Sequence, residues 1–145
     1  MTAVSTQSRA SLIILLAFAV LDGVWIAFVA LPLFQADLGA ILSPSPNPAA
    51  VAAFYPIYAA AIHWLAVRPA LAAGGIRTAI ANAAVLGLAA YATFDLTGLA
   101  VIKGWTLRLA VIDIAWGITV TVLAAAAGYV AGRGSAADQH QTRPG

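Results

Sequence analysis

Three of the acidic residues, Asp22, Asp95 and Asp113, lie inside long apolar stretches of the sequence. A carboxyl group in such a place can bind or transfer a proton, act as a general acid or base, or accept hydrogen bonds. Ionisable groups within apolar helices are costly and face protein more often than lipid, so these three are the first candidates for function. The alternative is structural, with each carboxyl bonded to Tyr, Trp or Thr and holding helices together at well under about 2 kcal/mol per bond.

Asp95 and Asp113 stand on either side of a short polar connection at 103–106, about seven and six residues inside the ends of their helices at 102 and 107. At the rise of an α-helix that is a depth of roughly 10 Å for both. Two helices joined by so short a turn form an antiparallel hairpin, so the two carboxyls are expected at one level and facing each other. Because two close carboxylates do not both ionise easily, we expect them to share a proton near neutral pH.

The elements that must position these acids are membrane-spanning helices. The chain has 145 residues, 63% of them hydrophobic and 8% charged, and a mean hydropathy of +0.95. Charged residues make up about a quarter of a soluble domain, so this composition predicts an all-α membrane protein. We expect one four-helix transmembrane domain over residues 1–132 and a disordered polar tail over 133–145. The predicted spans are about 11–34, 49–67, 78–102 and 107–131.

The composition excludes several kinds of site. There is no Cys, so thiolate nucleophiles and Cys-based metal sites are ruled out. The sequence contains no phosphate-binding glycine loop, nucleophile elbow or metal-spaced His pair. His63 is expected to be a packed or interfacial histidine, with a metal ligand or proton relay as the alternative. We expect no cofactor, no bound metal and no nucleic-acid partner.

The basic residues indicate how the helices are oriented. With four spans, Arg9, Arg68, Arg77, Arg133 and Arg143 share one side of the membrane, and only Lys103 and Arg108 lie opposite. Since Lys and Arg are retained on the cytoplasmic side, both termini are predicted to be cytoplasmic. The corresponding location is the bacterial cytoplasmic (inner) membrane, which the chain would cross several times.

Small residues accompany the acids at helical spacing. One stripe on the third helix contains Ala84, Gly87, Tyr91, Asp95 and Gly98, and one on the fourth contains Asp113, Gly117, Thr121, Ala124 and Gly128. Such stripes allow close approach of helix backbones, so the acids are expected on packing faces. Asp22 with Trp25, and Asp113 with Trp116, repeat a D-x-x-W pattern on helices of opposite direction, which hints at an inverted repeat.

Four segments carry a family resemblance: LDGVW at 21–25, FYPIY at 54–58, YATFDLTGLAVIKGW at 91–105 and DIAWG at 113–117. Together they resemble a bacterial family of predicted membrane proteins, domain of unknown function 2177. The resemblance covers all four helices and implies no activity. Gly98 stands where the family pattern has Asn, and Thr106 where it has Pro. The residues on which the resemblance places functional or structural weight are Asp22, Trp25, Tyr55, Tyr58, Tyr91, Asp95, Thr97, Asp113 and Trp116.

The leading hypothesis is a binding or transport role, in which Asp and Tyr side chains form a buried polar site for a proton, a small solute or a lipid headgroup. A second hypothesis is a membrane-embedded enzyme acting on lipid, with Asp as general acid or base and Tyr as hydrogen-bond donor. A third is an accessory subunit that packs its Ala and Gly faces against a membrane protein. The expected partners are membrane lipids, with a second copy of the chain or another membrane protein as alternatives.

Overall fold

A computed structural model describes residues 6–141, and it describes the side chains except those of residue 73 and residues 134–141. Within this range there are four helices long and apolar enough to cross a membrane, and no strand. The predicted four-helix, all-α membrane architecture is therefore confirmed. We label the helices α1 (Thr6–Leu38), α2 (Pro48–Ala72), α3 (Gly75–Val101) and α4 (Leu107–Gln141).

The two ends of the bundle differ, and we name them by a residue. The Trp105 end holds the 39–47 loop and the turn between α3 and α4, whereas the Gly74 end holds the start of α1 and the turn between α2 and α3. Of α4, the stretch Leu107–Arg133 is the apolar span. Its backbone continues as a helix to Gln141, which Ala and Gln, both good helix formers, allow. Residues 142–145 of the predicted polar tail lie outside the described residues.

Polar side chains cap the N-termini of the two helices that begin at the Trp105 end. Asn47 caps α2, because its Oδ1 accepts hydrogen bonds from the backbone N–H groups of Ala49 (3.0 Å) and Ala50 (3.3 Å). Thr106 caps α4 by accepting from the N–H of Leu109 at 3.1 Å. The same Thr106 hydroxyl donates to Asp37 Oδ2 at 2.6 Å, which ties the end of α1 to the start of α4.

The second predicted loop, over 68–77, is wrong in extent. Helical turns continue through Pro69 to Gly74, and the chain reverses at Gly75, whose φ of +71° favours glycine. Proline in a helix frees the carbonyl four residues earlier. Here that carbonyl belongs to Leu65, and it accepts a hydrogen bond from Asn82 Nδ2 of α3 at 3.0 Å. A partner on the next helix therefore allows the helix to pass the proline.

Helix α1 includes the span predicted over about 11–34 and contains one irregular turn. Residues Ile26–Ala30 form a π-helical turn, in which the N–H of Leu31 bonds to the carbonyl of Ile26. Pro32 follows directly and has no N–H to continue the regular pattern. The wider turn rotates the remainder of α1 relative to its first part.

Helix α4 is the centre of the packing, with its most extensive contacts to α3 and α1. Gly87 lies where α3 crosses α4, because a Cβ built there would be 2.7 Å from the carbonyl oxygen of Gly117 and 2.9 Å from Cα of Ile118. Gly128 lies on the same α4 stripe as Gly117 but does not face α3. It faces α1 instead, where a Cβ would overlap the side chain of Ile14. Small residues at two levels of one α4 stripe therefore admit two neighbouring helices, α3 near Gly117 and α1 near Gly128.

Enlarging Gly87 is expected to force α3 and α4 apart, because the obstructing atoms belong to the backbone. Gly87→Leu should reduce the free energy of unfolding in nonionic detergent by about 1 to 3 kcal/mol. Val85→Leu, on the exposed face of the same helix, is the matched control and should leave the thermal midpoint unchanged. Equal melting of both variants would mean that Gly87 does not lie at a helix crossing.

Candidate functional site

The carboxyl of Asp22 is a meeting point for side chains from all four helices. Its Oδ2 accepts a hydrogen bond from the Tyr55 hydroxyl of α2 at 3.3 Å. Its Oδ1 accepts from the Tyr91 hydroxyl of α3 at 3.5 Å and from the indole N–H of Trp116 of α4 at 3.3 Å. Asp22 is 4% exposed. One buried acid thus joins the bundle at a single level.

Tyr91 reaches Asp22 because α4 has a glycine opposite its ring. A Cβ built at Gly117 would overlap ring atoms of Tyr91. The Tyr91 ring therefore fills the space that a side chain at 117 would take. Gly117 belongs to the small-residue stripe of α4, and its role is to let an aromatic ring cross the helix interface.

The two D-x-x-W pairs lie against each other. The indoles of Trp25 and Trp116 stack with centroids 4.5 Å apart and planes inclined by 6°. Trp116 donates a hydrogen bond to Asp22 of the other pair, and Trp25 lies beside Asp113. Each tryptophan therefore lies next to the aspartate of the opposite helix. Trp25 Nε1 is nevertheless buried without a hydrogen bond of normal geometry. The repeated pattern thus forms a reciprocal contact between α1 and α4, although one half is incompletely bonded.

Asp95 and Asp113 neighbour each other across the α3–α4 hairpin, at the level where the sequence places them. Asp95 is 0% exposed, and neither of its carboxyl oxygens has a hydrogen bond of normal geometry, although Trp105 and Asp113 lie beside it. The Trp105 indole lies next to Asp95, and its N–H is also buried and unbonded. A buried carboxyl with unpaired oxygens is unusual. The shared proton stays a prediction.

A pair of hydroxyl groups lies about one helical turn beyond Asp22, on the side away from the Trp105 end. The hydroxyls of Tyr58 and Thr121 are 2.9 Å apart, and Thr121 donates to the carbonyl of Gly117 at 2.5 Å. Beyond this pair, the core towards the Gly74 end is apolar and fully buried, with Phe18, Ile62 and Val120 at its centre. The buried polar groups of Asp95, Asp113, Asp22 and this hydroxyl pair form a column along the bundle, here called the polar column. It ends inside the bundle.

Two of the residues singled out from the sequence lie away from this column. Thr97 is on the exposed face of α3, where its hydroxyl bonds to the carbonyls of Thr93 and Phe94 on its own helix. The structure therefore does not bring Thr97 to Asp22. His63 is buried in α2 on the Gly74 side, with its ring against Trp64. Its Nδ1 has no hydrogen bond, and it does not contact the acids.

A cavity of about 450 Å³ adjoins Asp22. Helices α2 and α3 contact each other around His63–Val67, but the Pro48–Ile62 part of α2 packs mainly on α1. A gap therefore widens between α2 and α3 towards the Trp105 end. Phe54 on α2 and Phe94 on α3 are 40% and 56% exposed at this gap, which places its mouth on the lipid-facing surface. The residues lining the cavity are Asp22, Trp25, Ile26, Ala30, Phe34, Phe54, Tyr58, Ala90, Tyr91, Phe94 and Asp113.

Trp105 packs against two residues of the cavity wall, Phe34 and Phe94. Its ring contacts Phe34 and Phe94 edge-on, with centroids 5.5 and 5.3 Å away. A Cβ at Gly98 would lie 2.7 Å from Trp105 ring carbons. Gly98 therefore makes room for the indole. Among the described residues, no group of three or more His, Asp or Glu side chains is arranged to hold a metal ion.

Several residues of this site were not predicted from the sequence. Phe54 and Phe94 belong to the FYPIY and YATFDLTGLAVIKGW segments, but the sequence does not predict that they form cavity walls, and for Thr121 it predicts only packing. Pro32 is the sequence feature that could have indicated the cavity, because a proline near the end of an apolar helix indicates a distorted turn before it. Ile26 and Ala30 of that turn line the cavity.

These observations define an integral membrane protein of four helices, with a buried acidic and aromatic centre. The chain belongs to the family described as predicted membrane protein, domain of unknown function 2177 (DUF2177), whose pattern matches residues 8–130. The resemblance carried by the four sequence segments is thereby confirmed. No curated protein and no solved structure matches the chain.

Proposed function

We propose that this protein binds a small solute or a lipid headgroup in the cavity beside Asp22 and takes it up laterally from the bilayer. The observation that carries the proposal is the Asp22 carboxyl, held by donors from three other helices at the wall of a cavity that opens between α2 and α3. Ligand sites are concave, mostly apolar and supplied with a few convergent polar groups. This cavity has that character.

A purely structural role for the acids would leave two features without a purpose. Helix-joining carboxyls need hydrogen-bond partners, yet both oxygens of Asp95 lack them. Joining helices also needs no cavity, whereas 450 Å³ of space adjoins Asp22 and Asp113. A ligand site accounts for the open space beside Asp22 and Asp113, whereas the fully buried Asp95 carboxyl does not line the cavity.

The blind end of the cavity favours holding a ligand over conducting one. Tyr58 lies at the inner limit of the cavity. On the far side of Tyr58 lies Phe18, and the centroids of the two rings are 4.9 Å apart. Phe18 is fully buried, and so is the apolar core that continues from it. A ligand would therefore enter and leave by the mouth between α2 and α3. Transport would require the bundle to open on the Gly74 side.

Filling the cavity tests the proposal. Ala90→Phe places a ring inside it, whereas Ala89→Phe places the same ring on the exposed face of α3. Native mass spectrometry of protein extracted in nonionic detergent should find a bound small molecule or lipid on the wild type and Ala89→Phe. Ala90→Phe should have lost it. Equal retention by all three, or no adduct on any, would refute a ligand site in this cavity.

We further propose that the protein resides in the bacterial inner membrane with both termini in the cytoplasm, based on the five-to-two distribution of Arg and Lys. A reporter enzyme that works only in the cytoplasm should be active when fused after Gly145 and inactive when fused within the 103–106 turn. The reverse pattern of activity would invert the orientation.

A further inference from the structure

The walls of the cavity combine acids with aromatic faces. Six of its lining residues are aromatic, and they surround the carboxyls of Asp22 and Asp113; the six are Trp25, Phe34, Phe54, Tyr58, Tyr91 and Phe94. The face of an aromatic ring is negative and attracts a cation within about 6 Å of its centroid. Both kinds of lining group therefore favour a positive ligand over a neutral or negative one.

No basic side chain in the described part of the chain compensates these acids. The groups that interact with Asp22 are Tyr55, Tyr58, Tyr91, Trp116 and Asp113, and those that interact with Asp113 are Trp25, Tyr91, Asp22 and Asp95. All are neutral donors or other acids. A buried carboxylate without a cationic partner is costly, so it either keeps a proton or takes a cation from outside.

The shape of the site indicates what kind of cation fits. The mouth lies between Phe54 and Phe94 on the lipid-facing surface, and Ile26 continues the apolar wall. A hydrated metal ion would have to lose its water among these groups. An organic cation with apolar substituents keeps its charge beside the acids and its substituents against the rings.

We propose that the cavity selects an organic ammonium cation carrying apolar groups, with its charge held by Asp22 and Asp113 and its substituents by the aromatic walls. This inference rests on the proposed ligand site and names the chemical class that the site recognises. The occupant would be a membrane-soluble amine or quaternary ammonium compound.

A matched pair of probes isolates the charge. Benzyltrimethylammonium and neopentylbenzene have nearly the same shape, because a quaternary carbon replaces the nitrogen. Their binding to the purified protein in nonionic detergent can be followed by NMR of the ¹⁵N-labelled tryptophan indoles, which include Trp25 at the cavity wall. The wild type should show saturable shifts with the cation and bind it at least about tenfold more tightly than the neutral compound.

The variants then assign that preference to the acids. Asp22→Asn and Asp113→Asn should each abolish or sharply reduce the preference for the cation. Asp37→Asn is the matched control, since Asp37 lies outside the cavity and bonds to Thr106, and it should retain the preference. Using two cavity variants keeps the test decisive when one of them fails to fold.

The possible results separate the two proposals. Equal affinity of the wild type for both probes would overturn cation selection and leave a ligand site intact. Binding of neither probe, together with equal ligand retention by the cavity-filling variant, would overturn both. A preference that survives in Asp22→Asn and in Asp113→Asn would also overturn cation selection, because the charge would then be recognised elsewhere.

Discussion

Replacing Gly117 by alanine is expected to destabilise the protein and dismantle the Asp22 centre. The added methyl group would occupy the space of the Tyr91 ring, and its Cβ overlaps three ring atoms. The ring cannot move aside freely, since it also lies against Tyr58. Overpacking of this kind costs about 1 to 3 kcal/mol, and thermal unfolding in nonionic detergent would measure it. The displaced Tyr91 would no longer donate to Asp22.

Gly23→Ala provides the matched control. Gly23 adjoins Asp22 in sequence, yet nothing lies within 4 Å of a Cβ built there. The same chemical change should therefore leave stability unchanged, or increase it slightly through better helix propensity. If Gly117→Ala melts like Gly23→Ala, the Tyr91 ring does not occupy the α3–α4 interface as described.

The second large effect concerns the hydrogen bonds of Asp22. Asp22→Asn keeps the shape of the side chain but replaces one accepting oxygen by a donor, which opposes the donors around it. Leaving buried donors unpaired costs about 1 to 3 kcal/mol each. We expect Asp22→Asn to reduce the free energy of unfolding by about that amount for at least one lost bond.

A double-mutant cycle can attribute this loss to a named contact. Tyr91→Phe should cost less in the Asp22→Asn background than in the wild type, with a coupling of about 0.5 to 2 kcal/mol. Tyr129→Phe is the control, because Tyr129 lies towards the Gly74 end against Arg133, and it should be additive with Asp22→Asn. Additivity for Tyr91→Phe as well would show that Tyr91 and Asp22 do not interact.

The features predicted from the sequence follow from length, hydropathy and depth. Apolar runs bounded by polar turns give the four helices, and equal distance from a short turn gives the level of Asp95 and Asp113. Both depend only on the rise of a helix along its axis. The D-x-x-W repeat hinted at an inverted repeat, which stays a prediction, but it did not indicate that its two copies lie against each other.

The rest depends on how each helix is rotated about its axis. Thr97 is two residues from Asp95 and so lies on the opposite side of α3, a distinction that motif membership does not make. The rotation of α1 changes at the π-helical turn over Ile26–Ala30, which shifts the residues beyond it relative to Asp22. The gap between α2 and α3 depends on both rotations and on the passage through Pro69. Its aromatic walls could therefore be found only with the helices in place.

The most direct test of the Asp22 centre is a distance measured in a lipid bilayer. Solid-state NMR can detect the dipolar coupling between the ¹³C-labelled carboxyl of Asp22 and the ¹⁵N-labelled indole nitrogen of Trp116, with Trp116→Phe to assign the signal. The contact of 3.3 Å between Oδ1 and Nε1 brings the carboxyl carbon and the indole nitrogen close enough for a detectable coupling, which should disappear in Trp116→Phe. A folded wild-type protein without that coupling would show that α1 and α4 do not meet at Asp22, and would contradict the site built around it.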